Sequence, residues 1–62
     1  MNTQTAVRNA FWSAHPQFKN EYRKTYRQND YKTDIRCAFV DYVDNLQKDG
    51  IISDKLAHRV TL

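Results

Sequence analysis

One glycine and one proline in 62 residues leave this chain almost without the residues that tight hairpin turns require. A multi-stranded sheet is therefore a poor expectation, and helices are the elements that remain. Length sharpens the point. A domain of this size buries only about 60% of the surface its unfolded chain exposes, so its stability margin is thin. Small chains compensate with crosslinks, a metal, oligomerisation or regular helix packing. The single Cys37 excludes an internal disulfide, and with only His15 and His58 beside it there is no convincing set of zinc ligands. Helix packing and association are left. Hydrophobic residues make up 40% and aromatics 13%, enough for a small core.

The clearest helical period runs from Thr33 to Lys48, where Ile35, Phe39, Tyr42, Val43 and Leu46 fall on one face. Thr33 is placed to cap this helix, and Gly50 to stop it. Val40 and Cys37 widen its apolar arc on the flank, which makes a homodimer as well supported as a monomer. Ser53 then caps a short final helix with Leu56 and Val60 inward. At the other end, Val7, Phe11 and Ala14 form a stripe that Pro16 must interrupt, because a proline ring clashes with the carbonyl four residues back. Phe18, Tyr22 and Tyr26 repeat every four residues after Pro16, which predicts a second helix up to the polar Gln28-Asn29-Asp30 break. The expected fold is all-α, one small domain over residues 1–62 with three to four short helices. Its expected core is Val7, Phe11, Phe18, Tyr22, Ile35, Phe39, Tyr42, Val43, Leu46, Leu56 and Val60.

Charge is distributed unevenly along this pattern. Over residues 1–31, Arg8, Lys19, Arg23, Lys24 and Arg27 oppose only Glu21 and Asp30, so the net charge of +3 belongs to that half. From Lys32 onward five cations and five aspartates balance. On a second helix, with Phe18, Tyr22 and Tyr26 inward, Lys19, Arg23 and Arg27 would form a cationic ridge along the flank. Such a ridge suits phosphates, and tyrosine rings offer stacking surfaces to unpaired bases. Lys19, Arg23, Lys24, Tyr26, Arg27 and Lys32 are therefore the candidate contacts for nucleic acid or another acidic partner. The competing reading is an ordinary solvated helix face.

A second candidate is Trp12 with Arg8 and His15 beside it, a composition typical of protein-recognition hot spots. It suits a protein-interaction or inhibitor module, compatible with an accessory protein of a bacterium or mobile element. Two motif readings of VDNLQKDGIISDKLAHRV are weak. As a helix-turn-helix it puts bulky Leu46 and charged Asp49 at positions that favour small and apolar residues. As a calcium loop it replaces the bidentate acid with Leu56. No nucleophile, base or metal constellation has a spacing that carries weight, so neither an enzyme nor a cofactor is expected. A lone thiol, a polar N-terminus and the lack of a long apolar run suggest a soluble cytoplasmic protein with no membrane partner.

Overall fold

The structure, a computed structural model, describes residues 1–23 and 25–62. Three α-helices carry it: α1 (Gln4–Ala14), α2 (Thr33–Lys48) and α3 (Asp54–Arg59). Two short 3-10 segments, Pro16–Glu21 and Gln28–Asp30, lie between α1 and α2. No strand occurs among the described residues.

Each α-helix begins and ends where local chemistry demands it. The Thr3 hydroxyl accepts from the Ala6 amide at 3.1 Å and starts α1. His15 closes it, its own amide donating to the Trp12 carbonyl, and Pro16 opens the following 3-10 segment, where its missing amide costs nothing. Thr33, expected as the cap of α2, is its first residue; Lys32 holds the N-cap position without a side-chain hydrogen bond. The Thr33 hydroxyl accepts instead from the Arg36 guanidinium at 3.1 Å. At the other end the Ile51 amide reaches the Leu46 carbonyl at 2.9 Å and the Gly50 amide the Gln47 carbonyl at 3.1 Å. That pair of bonds is a Schellman stop, and it places Gly50 at φ 72°, where a side chain would be strained. Ser53 then caps α3 through the Leu56 amide at 3.1 Å.

These ends aim the apolar stripes at one core. Val7 and Phe11 of α1 meet Ile35, Phe39, Val43 and Leu46 of α2, and Tyr31, Ile52 and Val60 complete the buried set. Phe11 is the hub. Its ring lies edge-on to Phe39 at 5.2 Å and to Tyr42 at 5.8 Å, with His15 tilted over it at 4.4 Å. Aromatic pairs at such spacing add to the stabilisation from burial alone.

The segment after Pro16 departs from its periodicity. Among its described residues up to Arg27, Pro16–Glu21 alone is helical, and as a 3-10 turn; Tyr22 has extended backbone at ψ 131°. Tyr22, expected in the core, is 47% exposed and Tyr26 is 44% exposed. The physical reason lies in Tyr31. Its hydroxyl accepts from the Arg23 amide at 3.4 Å and donates to the Arg23 carbonyl at 3.2 Å. The Arg23 carbonyl also accepts from the Tyr26 amide at 3.0 Å, so it is for the Arg23 amide that the Tyr31 hydroxyl stands in place of a helical acceptor. The Asp30 carboxylate similarly accepts from the Arg27 amide at 2.8 Å and starts a separate turn. The helical ridge of Lys19, Arg23 and Arg27 does not form.

Candidate functional site

Breaking the expected second helix creates a cleft. Tyr22, Arg23, Tyr26 and Tyr31 meet Arg8 and Trp12 of α1 around a cavity of about 340 Å³, which Thr5, Asn9 and Leu62 also line. Its aromatic wall is a continuous series. Tyr22 meets Trp12 at 5.3 Å, Trp12 meets Tyr31 at 5.4 Å, and Tyr31 meets Tyr26 at 5.2 Å. Trp12 and Tyr31 are the anchored members. Trp12 rests against the Phe11 ring at 5.2 Å and Tyr31 is buried in the core, so the wall is fixed to the hydrophobic interior. Tyr22 and Tyr26 each have one aromatic neighbour among the described residues and face outward.

Arg8 and Arg23 line the same cavity, and neighbouring oxygens orient the guanidinium groups of both. Arg23 donates through one nitrogen to the Asn20 and Tyr22 carbonyls, each at 2.8 Å. Arg8 donates to the Thr61 carbonyl at 3.0 Å, to the Gln4 side chain at 3.4 Å and to the Thr5 hydroxyl at 3.3 Å. None of these acceptors is charged. A guanidinium has five N–H donors, so both retain capacity for an incoming anion. Among the described residues, no Asp or Glu side chain lines the cavity. The positive charge is therefore held in place without an acidic neighbour in that lining. Beyond Tyr22 the surface continues into a shallower groove lined by Asn9, Trp12, Ser13, Lys19 and Tyr22, which brings a third cation beside the same tryptophan.

The two sets of residues expected from sequence thus merge in part. Arg23 and Tyr26 come from the basic segment, Arg8 and Trp12 from the α1 set, and all four line one cavity. Lys19 lies in the adjoining groove. Other candidates lie elsewhere. His15 stacks on Phe18 at 5.7 Å and its Nδ1 lies 2.8 Å from the Phe11 carbonyl, so it belongs to the core side of α1 and not to Trp12. Lys32 pairs with Glu21 at 3.4 Å. Arg27 is exposed at the start of the second 3-10 turn and does not line the cleft. Lys24 lies outside the described residues.

Tyr22 and Tyr31 are the site residues that sequence reasoning misses. Spacing alone assigns Tyr22 to the core, and Tyr31 sits beyond the polar break, where no period reaches it. The one usable signal is composition, four tyrosines within residues 22–42 in a chain with a lone tryptophan.

Elsewhere the described residues hold no group of three metal-ligating side chains, and no helix long and apolar enough to cross a membrane. Cys37 is exposed on α2. Comparison with protein-family models, with curated proteins and with solved structures finds no match to this chain.

Proposed function

We propose that this protein is a non-enzymatic binding module whose cleft grips an acidic partner, and that the partner is nucleic acid. One observation carries the reading: an aromatic wall of Trp12, Tyr22, Tyr26 and Tyr31 stands beside Arg8 and Arg23, with no acidic side chain among the described lining residues. Aromatic faces take bases and guanidinium groups take phosphates, and a nucleic acid offers both in one polymer. Aromatic and arginine side chains also anchor protein partners, and a protein complex is the opposing outcome of the tests. A cytoplasmic location fits this partner and the single exposed thiol.

The test is a pair of charge reversals measured by fluorescence anisotropy on labelled oligonucleotides. Lys19→Glu together with Arg23→Glu lowers affinity at least tenfold and flattens the salt dependence, because fewer phosphates are then neutralised and fewer counterions released. Arg27→Glu together with Lys32→Glu, an equal change of charge outside the cleft, has a smaller effect. Equal losses from both would mean that overall charge, and not the cleft, governs binding.

A second reading has its own observation. Val40 on α2 is 50% exposed and forms a ridge between two grooves, one lined by Gln28, Thr33, Arg36, Cys37 and Asp41, the other bordered by Val43, Ala57 and Val60. An apolar ridge in so small a molecule fits pairing with a second copy. Sedimentation equilibrium of the wild type and Val40→Glu decides it: a dimer that the substitution dissociates supports pairing through α2, and a wild-type monomer excludes it. The expectation of a protein partner anchored on Trp12 draws on the same cleft, so a Trp12-dependent protein complex would count against the nucleic-acid reading.

A further inference from the structure

The grooves beside Val40, the exposed thiol of Cys37 and the partnerless Arg36 Nε atom each lack an indication of what would occupy them; the cleft does not. We infer that the cleft takes an unpaired nucleobase against the exposed tyrosine rings beside Trp12, so that the ligand class is single-stranded nucleic acid and neither duplex nor polyanion in general. The inference rests on the nucleic-acid reading above and adds which part of the polymer enters the cavity.

Three features lead there. The first is size. A cavity of about 340 Å³ is at the lower end of the range of roughly 300–1,000 Å³ that holds small ligands, right for one base with part of its sugar and far too small for a double helix. The second is the state of the rings. Tyr22 and Tyr26 are close to half exposed, and each has a single aromatic neighbour among the described residues, which can cover at most one ring face. An open aromatic face beside an anchored tryptophan is a stacking platform. Bases in a duplex have their faces occupied by each other and cannot use it, whereas unpaired bases can.

The third feature is the order of polar groups. Asn9 and Thr5 edge the cavity with uncharged donors and acceptors suited to a base edge. Arg8 and Arg23 stand at the wall, and Lys19 follows in the next groove past Tyr22. A strand with one base in the cavity and its backbone crossing Tyr22 would keep successive phosphates near Arg23 and Lys19. The duplex-reading alternative lacks equipment here, because α3 is only six residues long and the cleft is concave where a major-groove reader must protrude.

The experiment uses the single tryptophan, whose emission reports on the cleft itself. The full chain at about 50 mM salt is titrated with three probes: an oligothymidylate of about 12 nucleotides, a strand of equal length made of abasic sites, and a hairpin duplex of equal charge, with anisotropy of the labelled probe read in parallel. The result expected is quenching of Trp12 by the oligothymidylate, with affinity about tenfold or more weaker for the abasic strand and for the duplex, the size of effect that stacking of one base gives. Tyr26→Ala, a change at an exposed ring outside the core, brings the oligothymidylate down to the abasic level without altering helicity. An abasic strand or a duplex that binds as tightly as the oligothymidylate overturns the base pocket and leaves the nucleic-acid reading standing. Anisotropy changes without any change in Trp12 emission also overturn it, because binding is then elsewhere. Binding of none of the three overturns both readings.

Discussion

At the residue scale, Tyr31 decides more than any other side chain. Its ring is buried, its edge supports Trp12 and Tyr26, and its hydroxyl holds both polar groups of Arg23. A hydroxyl from eight residues away thus braces the lip of the cleft. Tyr31→Phe keeps the packing and removes only the brace, so equilibrium denaturation should show a loss of about 1 kcal/mol, the net value of a hydrogen bond in a protein. The same variant should weaken nucleic-acid binding, because Arg23 loses the brace on its amide and keeps the bond from the Tyr26 amide to its carbonyl. An unchanged denaturation midpoint would mean that the segment is held by something else. None of this is legible in the sequence. Phe18, Tyr22 and Tyr26 recur at the helical interval, and a period carries no information about a hydroxyl arriving from eight residues away.

At the scale of elements the reading from sequence succeeds where a stripe is long and its ends are marked. α2 buries Ile35, Phe39, Val43 and Leu46 as its spacing requires, with Tyr42 half-buried beside them. α1 stops before Pro16 for the steric reason that proline imposes. Gly50 and Ser53 join α2 to α3 in the expected roles, and the Gln47 amide donating to Asp54 at 2.8 Å ties the two helices across the turn. The space around Gly50 is open, so a methyl group there meets no neighbour and the cost of Gly50→Ala comes from φ alone. That cost is about 1 kcal/mol, which should lower the melting temperature by roughly 4–8 °C in a domain of this size. No change in melting temperature would indicate that the turn can adopt another conformation. The unmarked element is the short one. Pro16–Glu21 has neither length nor a side-chain cap, and Tyr31 and Asp30 redirect the chain beyond it.

For the molecule as a whole, the cleft joins residues 5–12 to residues 22–31, pieces that touch only once α1 and the Tyr31 ring share a core. Sequence order therefore separates the two halves of the site, and each half is visible only as a candidate of its own kind: a basic tyrosine segment and a tryptophan with an arginine beside it. Charge is more legible than geometry. The excess of +3 arises in the N-terminal half, and the fold places Arg8, Lys19 and Arg23 around Trp12. Three cations on a single strand imply that affinity falls about tenfold to twentyfold between roughly 50 and 200 mM salt. A shallower dependence would show that fewer of these side chains meet phosphate.

The measurement that tests the central claim most directly is the emission of Trp12 as single-stranded DNA is added at low salt. A base held beside Trp12 gives saturable quenching in the micromolar range that is reversed by raising salt. Emission unchanged by DNA at about 50 mM salt, where phosphate contacts are strongest, would contradict it.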